Sequence, residues 1–155
     1  MLALSATPCA AQAMRATNAM PVEVLVTNSC TIVAIPLIFT MPAPINGNID
    51  RTTTITVNCP PSTAYTIDID DGVNAQGGAG FKRRVKHTTL NDHMNYEIYQ
   101  DSPRNRVWGK GNNRNFAGNS GAGGAVVYTI YGRLLAKSTA AAGQYRDLLT
   151  VTVNY

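Results

Sequence analysis

Hydrophobic and polar positions alternate with a period of two along most of this chain. Residues 21–28 set Val22, Val24 and Val26 on one face, against Glu23 and Thr27 on the other. In residues 52–58 Ile55 and Val57 point one way, and Thr53 and Cys59 share their phase. Residues 64–70 oppose Tyr65, Ile67 and Ile69 to Thr66, Asp68 and Asp70, and residues 94–100 oppose Met94, Tyr96 and Ile98 to Asn95, Glu97 and Tyr99. Residues 125–135 alternate at length. Residues 147–155 end the chain with Leu149, Val151, Val153 and Tyr155 inward and Leu148, Thr150, Thr152 and Asn154 outward. Residues 31–40 form an apolar run cut by Pro36, and residues 106–109 a short one. Successive strand side chains point to opposite faces, so this is the pattern of half-buried strands. Gly-, Pro- and Asn-rich breaks fall at residues 42–49, 71–80 and 110–124, with a turn at 140–144. Short strands at such spacing predict an all-β sandwich in one domain.

Composition agrees. Glu23 and Glu97 are the only glutamates, and charged residues make up 14% of the 155 positions. Helical domains lean on Glu and Lys, so a bundle or coiled coil is excluded. The sandwich also looks unbalanced. The last strand runs to Tyr155 with nothing after it to cover its free edge, whereas residues 14–21 precede the first strand without a partner. A surplus arm at one end and a missing strand at the other is the pattern of strand donation between molecules. Residues 1–13 end in Ala11-Gln12-Ala13, a small-x-small sequence read as the tail of a secretion signal. Its removal takes Cys9 and leaves Cys30 and Cys59. An even pair in an exported chain suggests a disulfide, and two free buried thiols would suit a cytosolic one.

Little supports catalysis, a metal or a cofactor. His87 and His93 are the only histidines, too few for a zinc site without more cysteines. Asp68, Asp70 and Asp71 precede Gly72, but the twelfth position of a calcium loop begun at Asp68 is Ala79. The glycines of residues 109–124 lack the Gly-Lys-Ser/Thr ending of a phosphate cradle. Net charge is +4, and the one basic cluster, Lys82-Arg83-Arg84 with Lys86, reads as a solvated strand or loop. No nucleic-acid partner is therefore expected. Trp108 and the tyrosines are read as core or sheet surface, with a sugar site as the other reading.

Two stretches are more specific. Met94-Asn95-Tyr96-Glu97-Ile98-Tyr99-Gln100-Asp101 is followed by Arg104 and Val107-Trp108-Gly109. Gly132-Arg133-Leu134 is followed by Ala142-Gly143-Gln144-Tyr145-Arg146-Asp147 and by Thr150-Val151-Thr152-Val153-Asn154-Tyr155. Together with Asn28-Ser29-Cys30 and Thr54-Ile55-Thr56-Val57-Asn58-Cys59 they resemble the spore coat protein U domain family. Within it the chain is most similar to subunits of archaic chaperone–usher pili such as the Csu biofilm pilus. The resemblance implies an incomplete immunoglobulin-like β-sandwich lacking its final strand. It implies completion by a donated strand, first from a periplasmic chaperone and then, at an outer-membrane usher, from a neighbouring pilus subunit. Carried onto this chain, residues 14–26 are the donor arm, with Ala16, Met20, Val22 and Val24 inserted, ahead of a pilin domain at residues 22–155. Leu149, Val151, Val153 and Tyr155 edge the acceptor groove, where the chaperone also binds, and Cys30 and Cys59 are the family's cysteine pair. The implied role is a non-enzymatic rod or minor subunit of a surface pilus, exported through the periplasm and serving attachment and biofilm formation. A secreted carbohydrate-binding protein or a spore or matrix coat protein is the alternative.

Overall fold

The computed structural model describes residues 20–25, 29–40, 44–77, 80, 82–111 and 113–155. Among the described residues there are nine strands and no helix: β1 (Thr31–Ala34), β2 (Ile49–Cys59), β3 (Ala64–Ile69), β4 (Arg84–His87), β5 (His93–Tyr99), β6 (Phe116–Asn119), β7 (Gly124–Leu134), β8 (Tyr145–Arg146) and β9 (Val151–Asn154). They form two antiparallel sheets, one in the order β1-β2-β7-β5-β4-β8 and the other β6-β3-β9. This is the all-β sandwich that the alternation implies, in the immunoglobulin-like form that the family resemblance implies.

The backbone of the larger sheet is the β2–β7 ladder, eleven residues long, from Ile49 opposite Leu134 to Cys59 opposite Gly124. Its Thr, Val and Ile content suits a pleated, half-buried surface. Ile55, Val57, Ile130 and Leu134 of this ladder face Tyr65, Ile67 and Ile69 of β3, and all are buried. Trp108 plugs the space between them, 1% exposed, with its indole N–H donating to the Ile67 carbonyl at 3.0 Å. Burial of the ring and satisfaction of its one donor make Trp108 a core residue, and a sugar-binding surface built on it is ruled out. Cys30 and Cys59 are joined, with a Cα–Cα distance of 4.3 Å, so the disulfide ties the start of β1 to the end of β2.

Four features depart from the periodicity. Residues 20–25 belong to no strand and every one of them is exposed. Their alternating face has no sheet of this chain to join, and a lone strand is not stable in water. Among the described residues the first strand is therefore β1, and Val26 and Ala16 lie outside the described residues. Residues 116–119, expected as part of a glycine loop, form β6 and pair with β3. Phe116 holds them there, with its ring 5.4 Å from that of Trp108 and 4.8 Å from that of Tyr128. The short β8 arises in the same way from Tyr145, whose ring packs edge-on against His87 at 4.8 Å. The basic run is not wholly solvated either. Arg83 is fully buried, pairs with Glu97, and donates to the carbonyls of Ile69 (3.0 Å) and Asp70 (2.7 Å). A buried guanidinium persists only when paired and hydrogen-bonded, and these partners meet that need. Arg84 and Lys86 keep the solvent-facing role.

Candidate functional site: an open groove between the sheets

The edges of the two sheets do not close. β1 pairs only with β2, and β9 only with β3, so each ends its sheet with one backbone edge unpaired among the described residues. Between these edges runs a groove of about 1120 Å³. Its floor is the apolar interior itself: Ile69, Met94, Tyr96, Ile98, Ile130 and Leu134. One wall is residues 34–40, continuing from β1, and the other is residues 140–149, leading into β9. That volume exceeds the usual ~300–1,000 Å³ of a small-molecule pocket. An extended segment fits such a shape better than a compact ligand does.

Sequence decides how each wall is built. The 34–40 wall begins as strand, with the Ile35 amide donating to the Thr54 carbonyl at 2.9 Å, and leaves the ladder where Pro36 has no N–H to give. Leu37 and Phe39 then turn inward over Gly132, where a side chain would collide with Leu37 at 2.5 Å. Ile35 and Ile38 stay 54% and 68% exposed. The opposite wall crosses from β8 in one sheet to β9 in the other and is held by polar anchors. Asp92 accepts from the Ala141 amide (3.0 Å) and the Tyr145 hydroxyl (2.5 Å), and it pairs with Lys137. The hydrogen bonds from Lys137, then Tyr145 and Ala141, hold the Asp92 carboxyl far below the ordinary value of 3.8. Burial and the Asp92 carboxylate push the Tyr145 phenol up to about 12. His87 accepts through Nδ1 from the amides of Thr89 (3.2 Å) and Leu90 (3.1 Å), which leaves Nε2 to donate to the Ala142 carbonyl at 3.3 Å. Gly143 lies so close to that ring that a Cβ would sit 2.1 Å from Nε2. Further on, Tyr96 donates to Asp147 (2.7 Å), whose other oxygen accepts from the Asn74 amide (3.0 Å). Burial first, and then the Asp147 carboxylate, raise the Tyr96 phenol well above its ordinary value. Asp70 takes the Thr150 amide at 2.9 Å and fixes the entry to β9.

Leu149, Val151 and Val153 are half-buried and point inward, and Leu149 and Val151 line the groove. Tyr155, placed in the same phase, is 60% exposed. Met20, Val22 and Val24 are 83%, 78% and 82% exposed, so residues 20–25 lie outside the groove. Periodicity missed the 34–40 wall, the Asp92 anchor and Arg83. The signal for the last two was the scarcity of acidic residues: Glu97 and Asp92 stand out among nine carboxylates, in strand or turn positions where charge needs a partner. His87 is engaged with backbone groups on both nitrogens, and the pKa of His93 is lowered by burial and by Arg84 and Lys86. No cluster of three metal-ligating residues occurs among the described residues.

No curated protein sequence matches the chain. Among solved structures it is similar to a chain of the CsuC–CsuE chaperone–tip adhesion subunit pre-assembly complex from archaic chaperone-usher Csu pili of Acinetobacter baumannii. The TM-score is 0.65 and the identity 24%, over 84% of this chain and 40% of that one. A fainter likeness, with TM-score 0.43 and 15% identity over 80% of this chain and 40% of the other, is to a chaperone–tip adhesin complex of CFA/I fimbriae biogenesis. The chain thus spans about two-fifths of the length of these structural relatives. The first likeness supports the sandwich fold. The sequence model of the Spore Coat Protein U domain matches residues 16–152, nearly the whole chain, and the protein belongs to that family.

Proposed function

We propose that this protein is a structural, non-enzymatic subunit of a chaperone–usher pilus whose groove is filled by a strand from another polypeptide. The observation that carries the reading is the apolar groove of about 1120 Å³ between two unpaired strand edges, accompanied by an exposed arm with alternating apolar residues. A periplasmic chaperone fills the groove first. At the outer-membrane usher, the arm of a neighbouring subunit replaces it, with Ala16, Met20, Val22 and Val24 entering between residues 34–40 and the Leu149–Val151–Val153 edge. Met20, Val22 and Val24 at ~1.5–3 kcal/mol each, with a smaller part from Ala16, stabilise the complex by roughly 5–10 kcal/mol. A domain's whole stability is ~5–15 kcal/mol, so the unfilled subunit is the weak state and the filled one the strong state. The product is an exported surface fibre suited to attachment and biofilm formation.

Truncation tests this. A chain lacking the residues before Val22 accepts a strand but cannot donate one. Co-expressed with its chaperone it is recovered as a one-to-one complex and yields no filaments in electron micrographs. Normal filaments from the truncated chain, or a full chain that stays monomeric and soluble for days without any chaperone, would overturn the proposal.

A further inference from the structure

On the outer face of the larger sheet, turned away from the groove, three strands line up basic side chains. β8 pairs with β4 so that Arg146 lies directly opposite Lys86, and β4 pairs with β5 so that Lys86 lies opposite His93. Opposed residues in an antiparallel pair share a face. Arg146, Lys86 and His93 therefore form one row across the strands, and Arg84 stands beside it, two residues from Lys86 and opposite Asn95. The inner face of the same strands carries Val85 opposite Met94 and His87 opposite Tyr145. Neighbouring strands lie ~4.8 Å apart, which sets the spacing of the row.

Such a row costs stability, because like charges directly opposite each other repel. Arg146 and Lys86 are both exposed, and neither forms an ion pair among the described residues. Arg84 donates its Nε–H to the Asn74 carbonyl at 3.0 Å, which leaves its charge unanswered. Asp92, the acid next to His93, is taken by Lys137, the Tyr145 hydroxyl and the Ala141 amide. Burial first, and then Arg84 and Lys86, lower the pKa of His93, so at neutral pH the ring adds no charge. The other end of the same sheet is built differently. There Arg133 stands directly opposite Asp50 and donates to it at 2.7 and 2.8 Å. Charge is a common guard for an edge strand, but a guard needs cations on β8 alone. Here they continue onto β4, which has a neighbour on each side.

We propose that this row is a binding surface for an acidic polysaccharide, a polymer bearing one carboxylate on each sugar. Such a polymer supplies the anions that the row lacks, and its charges repeat at about the length of a sugar ring, close to the strand spacing. Arg84 and Arg146 take carboxylates through paired N–H groups, and Lys86 acts as a point charge. Neither the row nor Asn95 beside it brings a Tyr, Trp or Phe ring for bases to stack on, as single-stranded nucleic acid requires. Nor do these positions bring an apolar side chain to enter a lipid surface. The row lies at the edge of the sheet opposite β1 and on the face away from Val85 and Met94, so a strand in the groove does not cover it.

The test is capture by immobilised polygalacturonate at low salt, with the methyl-esterified, uncharged polymer as the blank. The full-length chain is used in complex with its chaperone, or free if it is stable alone, so the result stands apart from the strand-donation reading. Lys86→Glu/Arg146→Glu weakens capture about tenfold, and added salt weakens wild-type capture in the same direction. Arg106→Glu/Lys110→Glu makes the same change in net charge at exposed positions outside the row and stays within about twofold of wild type. Lys86→Gln lowers capture about threefold while raising the urea midpoint, because the repulsion from Arg146 is relieved. Equal capture by the esterified polymer, equal losses in the two double variants, or tighter capture by duplex DNA of the same total charge each overturns the proposal. If the double reversal does not fold, Lys86→Gln decides alone, and undiminished capture of that variant overturns the proposal.

Discussion

The two ends of this sandwich are built from the same alternation and end in opposite states. At the closed end, Ile55, Val57, Tyr65, Ile67 and Trp108 are all at most 4% exposed, and β3 has a neighbour on each side. At the open end, β1 and β9 each lack a second neighbour among the described residues, and Ile35, Ile38 and Leu148 of the groove walls stay exposed at 54%, 68% and 68%. Side-chain chemistry does not separate the two ends, since both are lined by Ile, Leu, Val and aromatic residues. The separation is one of strand count. A closed core makes a stable domain, and an open one makes a domain whose stability depends on what enters it.

The sharpest way to break this comparison is to remove one large side chain from each end. Trp108→Ala should cost ~3–5 kcal/mol in urea unfolding, since a buried aromatic and its surroundings are lost. The cost should be the same with the groove empty or filled by a donor peptide. Leu149→Ala, on the half-buried wall, should cost much less in the unfilled chain. Its effect should grow once a strand packs over it. A Leu149→Ala cost that does not change on filling would mean that the groove wall is already complete.

Next in size is the disulfide. It joins residues 29 apart in sequence and tethers the groove-edge strand β1 to the closed end through β2. Cys30→Ser/Cys59→Ser should destabilise by ~3–4 kcal/mol in the chain-entropy view. The loss should appear as faster hydrogen exchange in β1 before β2–β7. Uniform loss of protection across both sheets would show the two ends to be one cooperative unit.

How much of this was legible beforehand follows from what alternation encodes. Period two reports which face of a strand is buried, and it placed Ile55, Val57, Tyr65, Ile67, Ile69, Met94, Tyr96 and Ile98 correctly. It does not report what lies on the other side. Glu97 and Tyr99 alternate outward from Met94 and Ile98, yet both are buried, because Arg83 and the β7 neighbour cover them. Strands rich in Gly and Asn, such as β6, carry too little hydrophobic contrast to stand out from loops. The groove was legible as an imbalance of strands. The inward turn of Leu37 and Phe39 and the Asp92 anchor were not, because they act through contacts between residues far apart in sequence.

The smallest expected effect concerns that anchor, and its sign follows from linkage. The Asp92 carboxyl titrates below its ordinary 3.8 in the folded chain, chiefly because Lys137 and then Tyr145 bond to its ionised form. A carboxylate depressed by folding contributes stability that is fully present above its unfolded value and is lost as pH falls toward the folded one. The carboxylate contribution to the urea midpoint should therefore be flat from about pH 7 down to about pH 5, a range in which His93, its pKa lowered by burial, costs some stability as pH falls, and should decline below about pH 4. Asp92→Asn should lower the midpoint at neutral pH and flatten much of that acid limb, leaving the part due to Asp50 and Asp70, which are also depressed. Because Asp92 holds the wall at Ala141 and Tyr145, the same variant should weaken capture of a donor peptide more than it weakens the fold. An Asp92→Asn chain that loses its acid limb but binds a donor peptide as tightly as wild type would confine the anchor to the stability of the closed end. The groove wall would then owe its shape to β8 and Gly143 alone.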